Sequence, residues 1–316
     1  MKLQQLRYAL EVYRHNLNVS EAADALFTSQ PGISKQIRLL EEELGIQIFI
    51  RSGKRVVSVS QPGKAVLEIS ERILRDVQNI KNIGSEFTEL DSGSLTIATT
   101  HTQARYALPA IIAKFVKQYP KVRLTIKQGS PAAVAQMVSN GEADIAIVTE
   151  KLDDHAELRK LPCGEWTHAV IVPQNHPLLD CRHPLSMSDL ATFPLITYEF
   201  AFHSGSSIAR AFNKAQLEQP EVVLAAADTD VLKTYVKLGL GVGLMAKLAY
   251  HPQNDQDLQL VDAAHLFEPS PIWIAIRADT YLRGYTYHFI EMLAPHLNRE
   301  AVDRILYTPI VEDFSI

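Results

Sequence analysis

Four polar side chains spaced about one helical turn apart are the first candidates for binding chemistry. They are Gln30, Ser34, Lys35 and Arg38. On a helix this spacing places an amide, a hydroxyl and two cations on one face. Such groups reach phosphates and base edges when the start of a helix enters the major groove of DNA. The pattern therefore predicts a helix that reads double-stranded DNA.

A second polar stretch follows an apolar run and precedes a helical pattern. It contains Thr100, Thr102 and Gln103, so two hydroxyls and an amide stand where a strand ends and a helix begins. The start of a helix offers free N–H groups and a partial positive charge. The stretch predicts a site for a small carboxylate or a sulfate-like anion. Ordinary helix capping by Thr100 or Thr102 is the alternative interpretation.

Motifs for catalysis and metal binding are weak. The glycine-rich run Gly239–Gly243 follows a helical pattern and lacks the spacing of a dinucleotide loop, and Gly205–Ser207 is not a nucleophile elbow. The 11 histidines show no ligand spacing, and the 2 cysteines, Cys163 and Cys181, match no zinc motif. We expect no enzymatic activity, no catalytic residue, no metal, no cofactor and two free thiols.

The elements around the first stretch predict a winged helix-turn-helix. Asn18 and Ser29 are caps for a short alanine-rich helix and for the helix that carries Pro31 in its first turn. The segment Arg51–Arg55 is basic and precedes an alternating strand pattern, which is typical of a wing. A generic three-helix bundle with a solvated basic loop is the alternative.

A long amphipathic pattern follows from Pro62. Apolar residues recur on an a/d-like repeat at Val66, Ile69, Ile73, Ile80, Ile83 and Phe87. This stripe predicts one long helix that pairs with its copy in a second chain; packing on its own C-terminal domain is the alternative. The predicted boundaries are a DNA-binding domain at 1–60, a linker helix at 61–92 and an effector domain at 93–316.

Strand and helix patterns alternate from residue 94 to the end. The order strand–helix–strand–helix–strand over 95–148 predicts a parallel sheet, whose ligands bind beyond the carboxyl ends of the strands. A second unit follows over 169–246. The strand Ile272–Arg277 and a helix Tyr281–Leu297 could return to complete the first unit.

Composition and charge set the cellular context. Hydrophobic residues make up 47% of the chain and charged residues 21%, which excludes global disorder. The sequence has no apolar run long enough for a membrane span and no signal peptide, so we expect a cytoplasmic protein without a membrane partner. Residues 1–90 carry 12 basic and 11 acidic residues, whereas the remainder carries 19 and 25. A locally basic surface on an acidic protein suits one polyanion.

The N-terminal pattern resembles the DNA-binding domain of LysR-type transcriptional regulators. The matching positions are Ala22, Ala23, Leu26, Ser29–Ile37, Leu40, Glu41, Leu44, Gly45, Phe49 and Arg51. The resemblance implies a dimer with two recognition helices in successive major grooves. By motif position it assigns the groove contacts to Gln30, Pro31, Ser34 and Lys35, and the phosphate contacts to Ser29, Arg51 and Lys54.

Four further segments resemble the CysB/Cbl subfamily of that family, with the CysB branch the nearer. They are Ala98–Pro109, Gln128–Pro131, Lys233–Gly243 and Ala294–Leu297. The resemblance implies an α/β fold with an N-terminal winged helix-turn-helix, a linker helix and a two-lobed effector domain like that of periplasmic binding proteins. Lobe I would span about 93–162 and 268–316, and lobe II about 163–267.

The subfamily also implies the effector and its site. The inducer would be N-acetylserine or the related O-acetylserine, opposed by sulfide or thiosulfate. Matching positions make Thr100, Thr102 and Gln103 anion donors, Thr149 a second-strand donor and Trp166 a wall. After residue 202 this chain reads His203-Ser204-Gly205-Ser206 where the subfamily has Thr-Gly-Arg-Ser. His203 would therefore replace a threonine contact, and a nearby arginine is missing.

Together these observations predict a transcriptional regulator, mainly an activator, of sulfur assimilation and cysteine biosynthesis genes. The expected partners are promoter DNA, further copies of the chain in a dimer or tetramer, and RNA polymerase. One alternative is a Cbl-like regulator of sulfonate use that senses sulfate or a sulfonucleotide. An anion-binding protein or an enzyme is the alternative from another class.

Overall fold

The computed structural model describes residues 1–53, 55–88, 92–149, 155–203, 206–278 and 280–307. Lys54 and the pair Ser204–Gly205 therefore lie outside the described residues. The chain forms two compact units, Met1–Thr88 and Glu89–Ile316. The partition into three domains at residues 60 and 92 stays a prediction. Within the described part, no helix combines the length and apolar character that a bilayer span requires.

The first unit contains three helices, a two-stranded wing and a long helix. These are α1 (Leu3–Arg14), α2 (Val19–Ala25), α3 (Gln30–Leu44), β1 (Phe49–Ser52), β2 (Arg55–Val59) and α4 (Gln61–Thr88). Strands β1 and β2 pair antiparallel. The predicted elements are all present.

Local caps delimit the helices of this unit. The Asn18 side chain accepts from the N–H groups of Ser20 and Glu21, and the Ser29 hydroxyl accepts from Gly32. Helix α3 ends at Gly45, whose φ of 67° is left-handed and therefore favours glycine. Ala22 and Ala23 are buried, which lets α2 approach its neighbours closely.

The second unit contains two five-stranded sheets, one in each lobe. Lobe I has the order β4-β3-β5-β12-β6 and lobe II the order β11-β7-β10-β8-β9. The strands of lobe I are β3 (Ser92–Thr99), β4 (Lys121–Gln128), β5 (Ile145–Val148), β6 (Leu158–Trp166) and β12 (Ser270–Arg277). Those of lobe II are β7 (His168–Pro173), β8 (Leu195–Tyr198), β9 (Val222–Ala226), β10 (Val242–Ala246) and β11 (Leu258–Val261).

The predicted parallel order holds only for part of each sheet. Strand β3 is parallel to β4 and β5, and β8 is parallel to β9 and β10. Strand β12 runs antiparallel to β5 because the chain enters lobe I again from lobe II. The first crossing lies at Thr167, between β6 and β7, so the boundary predicted at 162/163 falls inside β6.

Helices flank both sheets. Lobe I carries α5 (Pro109–Gln118), α6 (Pro131–Ser139), α10 (Gly284–Leu293) and α11 (Arg299–Tyr307), and lobe II carries α7 (Met187–Ala191), α8 (Ser207–Lys214) and α9 (Thr229–Lys237). The helix predicted over 281–297 ends at Leu293, and α11 was not predicted. Pro295 cannot continue a helical ladder, so the chain starts a new helix after it.

The helical stretch after β3, predicted as the first helix of the order over 95–148, consists of two segments. A π-helical segment spans Gln103–Ala107, and α5 begins at Pro109. The N–H of Leu108 donates to the carbonyl of Gln103 at 3.1 Å, one residue further back than in an α-helix. Pro109 has no N–H to extend the first ladder, which explains the break. Short π-helical turns occur often at functional sites.

Candidate functional site

The surface of α3 gathers the residues predicted to read DNA. Pro31, Lys35 and Arg38 are exposed. Gln30 and Ser34 are half-buried beside them, and the Gln30 amide donates to the Ser34 hydroxyl at 3.0 Å. These five residues line one shallow groove of about 470 Å³. The structure thus places an amide, a hydroxyl and two cations on a single accessible helix face.

A second groove joins the start of α3 to the wing. It has a volume of about 570 Å³ and is lined by the turn between α1 and α2, by Gln30 and by Arg55. Arg55 belongs to the basic stretch noted in the sequence but was not among the predicted contacts. The Ser29 hydroxyl, 3.3 Å from the Gly32 N–H, accepts in capping and keeps its own proton for a second partner.

Arg51, a predicted phosphate contact, has an intramolecular partner, and its guanidinium has further N–H groups besides the one used there. Its guanidinium lies 2.8 Å from a carboxylate oxygen of Glu41, which is only 8% exposed. The other oxygen of Glu41 accepts from the N–H groups of Ile48 at 2.9 Å and Phe49 at 3.0 Å. The ion pair of Arg51 with Glu41 therefore connects the wing to α3. An alanine at position 51 changes the stability of the wing as well as any contact with DNA.

A small cavity between the lobes gathers the predicted effector residues. Thr100, Thr102, Gln103, Thr149 and Trp166 line it from lobe I, and three residues that were not predicted line it from the other side. Those three are Tyr198, Phe200 and Ala246 of lobe II. The cavity measures about 20 Å³, which is room for about one water molecule.

The carboxyl ends of neighbouring strands position these side chains. Thr100 follows β3, Thr149 follows β5 and Trp166 ends β6, while Tyr198 and Ala246 end β8 and β10. The first helical turn after Thr100 carries Thr102 and Gln103. Since that turn begins beside the cavity, its first N–H groups have no carbonyl one turn earlier to bind. The arrangement combines hydroxyl, amide and backbone donors.

Three hydroxyls meet at the back of this cavity. The Thr229 oxygen lies 2.8 Å from that of Thr102 and 2.9 Å from that of Tyr198. The hydroxyls of Thr102 and Tyr198 lie 3.4 Å apart. The N–H of Ala246 donates to Tyr198 at 3.1 Å. We refer to Thr102, Tyr198 and Thr229 as the hydroxyl triangle. Thr229 gave no signal in the sequence beyond an ordinary helix start after Asp228.

Trp166 offers an unused donor to the cavity. Its indole nitrogen is buried and has no hydrogen-bond partner among the described residues. A buried donor without a partner is unfavourable, so its position favours a ligand with acceptor atoms. The ring lies 4.3 Å from that of His168. Burial lowers the pKa of His168 to about 3, so this histidine is neutral at physiological pH.

His203 does not belong to the cavity as described. Its side chain is exposed, and its backbone N–H closes a turn onto the carbonyl of Phe200 at 3.2 Å. Phe200, and not His203, lines the cavity, and its ring stacks on that of Tyr198 with the centroids 5.1 Å apart. The predicted effector contact of His203 is therefore not supported by this geometry.

A polar cluster lies next to the hydroxyl triangle and also bridges the lobes. From the π-helical segment, Arg105 pairs with Asp230, and the Tyr106 hydroxyl donates to Asp230 at 2.5 Å. Lys233 donates to Tyr106 at 3.2 Å and to the buried Asp255 at 2.8 Å. Burial and the neighbouring Asp230 raise the pKa of Tyr106. We refer to these five residues as the interlobe latch.

Comparison with known proteins identifies both units. Residues 3–64 match the lysR family of bacterial regulatory helix-turn-helix proteins, and residues 88–298 match the LysR substrate binding domain. The regulator CysB of Burkholderia cenocepacia is 50% identical over 97% of both chains. The regulator SsuR of the same organism is 48% identical over 97% of this chain and 99% of its own.

A solved structure supports the fold of the second unit. The cofactor-binding domain of the Cbl transcriptional regulator matches with a TM-score of 0.64 and 40% identity, over 69% of this chain and 95% of that domain. The two domains are thus matched separately, and the two named regulators are similar to this chain over almost its whole length. The chain belongs to the LysR family of transcriptional regulators, in the group that includes CysB, SsuR and Cbl.

Proposed function

We propose that this protein activates genes of sulfur assimilation and cysteine biosynthesis in response to N-acetylserine or O-acetylserine. It binds promoter DNA through α3 and the wing, assembles as a dimer or tetramer, and acts on RNA polymerase. Sulfide or thiosulfate opposes the inducer. The observation that carries this proposal is the cavity that brings Thr100, Thr102, Gln103, Thr149 and Trp166 together at strand ends, in a relative of CysB.

The chemistry of the cavity suits an anion. None of the eight described lining residues is charged, and most of them can donate a hydrogen bond. The helix that begins after Thr100 adds N–H groups and a partial positive charge. Neutral donors of this kind bind carboxylate or sulfate without a buried counter-charge. The carboxylate of an acetylserine satisfies these donors, and the unpaired nitrogen of Trp166 supplies one more.

The size of the cavity favours a second candidate function. A space of about 20 Å³ is smaller than an acetylserine, so the lining must move before that ligand enters. A sulfate needs less movement. The alternative is a regulator of sulfonate use that senses sulfate or a sulfonucleotide.

One titration decides between these functions. Purified full-length protein is mixed with cysteine-operon promoter DNA, and its DNA affinity is measured while O-acetylserine, N-acetylserine, sulfate and thiosulfate are added separately. We expect the acetylserines to change DNA affinity and thiosulfate to reverse that change. A response to sulfate alone would favour the alternative. Absence of binding to the promoter in all conditions would contradict both.

Thr100→Val is expected to weaken effector binding about tenfold or more. The substitution keeps the shape of the side chain and removes one hydroxyl donor. A hydrogen bond to a charged group contributes roughly 1.5–3 kcal/mol. Calorimetry with N-acetylserine and sulfate measures the loss, and DNA binding without effector should persist. Thr125→Val, on the exposed edge strand β4, is the matched control and should bind as wild type. Equal affinities in both variants would place the effector elsewhere.

Two substitutions on α3 should separate base reading from phosphate binding. Ser34→Ala is expected to relax preference at one base pair, at a cost of about 1–3 kcal/mol for the preferred sequence. Arg38→Ala should weaken all sequences alike and lower the salt slope by about one. Arg72→Ala removes an exposed arginine of α4 outside both grooves and serves as the charge control. If Arg38→Ala and Arg72→Ala have the same DNA affinity and the same salt slope, Arg38 does not contact DNA.

The exposed part of α4 supports self-association. Val66, Leu67 and Ile73 pack against the core of the first unit. Ile69, Ile80 and Ile83 stay 48%, 68% and 40% exposed. We therefore expect Ile80→Asp to disrupt dimers, because it places an unpaired charge in the seam between two helices. Lys81→Asp, at an exposed position off the stripe, is the control. Sedimentation that shows normal assembly of Ile80→Asp would exclude this seam.

A further inference from the structure

The hydroxyl triangle joins the two lobes directly behind the effector cavity. Thr102 belongs to lobe I, and Tyr198 and Thr229 belong to lobe II. Thr102 and Tyr198 line the cavity, whereas Thr229 is 1% exposed and contacts both of them from behind. Thr229 therefore cannot touch a ligand in the cavity without a rearrangement, but it controls two side chains that can.

Thr229 engages both other hydroxyls of the triangle at short distance. Each hydroxyl has one proton to donate and two acceptor positions. The sides of 2.8 and 2.9 Å, which Thr229 forms with Thr102 and Tyr198, each use one proton, whereas the side of 3.4 Å between Thr102 and Tyr198 is long for a hydrogen bond between hydroxyls. The N–H of Ala246 occupies a further acceptor position on Tyr198. An anionic ligand accepts hydrogen bonds only, and therefore competes with Thr229 for the protons of Thr102 and Tyr198.

We propose that Thr229 is a positioning residue of the effector site that withholds the protons of Thr102 and Tyr198 from an anionic effector. The effector competes with Thr229 for these protons, and binding opens the hydroxyl contact between the lobes. This inference rests on the proposed function, because it places the effector in this cavity. It also explains how a cavity of about 20 Å³ can admit a larger ligand, since the triangle is its rear wall.

The interlobe latch limits how the triangle can open. Thr229 is the first residue of α9, and Asp230 and Lys233 of the latch lie on the same helix. Thr102 immediately precedes the π-helical segment that carries Arg105 and Tyr106. The same two elements thus form both contacts. While the interlobe latch stays closed, the two lobes cannot separate fully. The hydroxyl triangle can then open only if the π-helical segment and α9 tilt against each other.

Replacing the Thr229 hydroxyl should strengthen anion binding. Thr229→Val keeps the volume of the side chain and removes one acceptor and one donor, which frees a proton of Thr102 or Tyr198. Because an anion then forms a charge-assisted hydrogen bond to this proton without displacing Thr229, we expect its affinity to rise about five- to tenfold. Thr229→Ser retains the hydroxyl and should bind as wild type.

Calorimetry on the full chain tests this proposal with three probes, namely sulfate, N-acetyl-L-serine and neutral N-acetyl-L-serinamide. In Thr229→Val the gain should appear in full for the two anions. For the neutral amide it should be at most about threefold, because a hydrogen bond to a neutral acceptor is about half as strong. A merely structural role of Thr229 would change the affinities of all three probes by the same factor.

Thr100→Val is measured in parallel, because it tests whether the effector binds in this cavity independently of the role of Thr229. If Thr100→Val loses anion binding while Thr229→Val binds anions as wild type or more weakly, that result would support the effector site in the cavity and would refute the proposed role of Thr229. An equal change for all three probes in Thr229→Val also overturns it. If Thr100→Val binds as wild type, the effector lies elsewhere and both proposals fail.

Discussion

Glu41→Ala is expected to lower the free energy of unfolding of the helix-turn-helix unit by about 3–5 kcal/mol. The carboxylate is buried and satisfies three donors at once, namely the backbone N–H groups of Ile48 and Phe49 and the guanidinium of Arg51. Alanine leaves two buried N–H groups without an acceptor, and each such loss costs about 1–3 kcal/mol. The arginine also loses its counter-charge.

Denaturant unfolding and amide hydrogen exchange measure this effect. The N–H groups of Ile48 and Phe49 should lose most of their protection in Glu41→Ala, because the carboxylate is their acceptor. Glu41→Gln keeps one oxygen as acceptor for these N–H groups but places a neutral amide group beside Arg51. Its loss in free energy of unfolding should therefore be intermediate. Glu43→Ala, at an exposed position of the same helix, is the control. Equal stability of Glu41→Ala and Glu43→Ala would refute the structural role of Glu41.

Helix α3 and the wing therefore depend on each other. The exposed face of α3 holds the candidate DNA contacts, and its buried Glu41 holds β1 in place. A variant of Glu41 should lose DNA affinity as a consequence of a displaced wing, even though Glu41 faces inward. For this reason the salt slope is best tested at Arg38, whose side chain is exposed.

Asp255→Ala should lower the free energy of unfolding of the effector unit by about 3–5 kcal/mol as well. Lys233 is 5% exposed, and its ammonium group lies 2.8 Å from Asp255, which is 4% exposed. Removing the carboxylate leaves a buried cation whose near partners are neutral, the carbonyl of Ala249 and the hydroxyl of Tyr106, while the carboxylate of Asp230 lies 4.0 Å away. Asp255 also accepts from the N–H of His251 at 2.9 Å, and that acceptor is lost too.

Thermal and denaturant unfolding of the full chain test this expectation against two references. Asp257→Ala removes the exposed partner of Lys237, and this pair should contribute less than about 1 kcal/mol. The double variant Lys233→Met with Asp255→Leu removes both charges and should recover most of the stability. A loss for Asp255→Ala no larger than that for Asp257→Ala would show that the buried pair does not stabilise the unit.

Lys233 also connects the buried ion pair with Asp255 to the elements that carry the hydroxyl triangle. Lys233 lies one helical turn after Thr229 and binds Tyr106 of the π-helical segment. The pair Lys233–Asp255 therefore anchors the part of α9 on which the hydroxyl triangle depends. The pair is buried, whereas two residues of the triangle, Thr102 and Tyr198, line the cavity.

The local elements of this protein can be predicted from its amino-acid sequence alone. The cap at Ser29, the proline after it and the apolar repeat of α3 involve residues three to seven apart, and short spacings of this kind report a helix directly. The polar stretch at Thr100–Gln103 lies at a strand end followed by a helix start, so its place at the carboxyl edge of a sheet could also be predicted. The family resemblance extended this to the two-lobed architecture.

The distant residues that complete the sites become visible in the folded chain and not in the sequence pattern. Thr102 meets Tyr198 and Thr229 across 96 and 127 residues of chain, and periodicity carries no information about pairs so far apart. The ion pair of Arg51 with Glu41 depends on how the wing folds back onto α3. The exposure of His203 depends on which loop residue packs on Tyr198. In each case the partner is selected by packing between elements, whereas the sequence pattern specifies only the elements themselves.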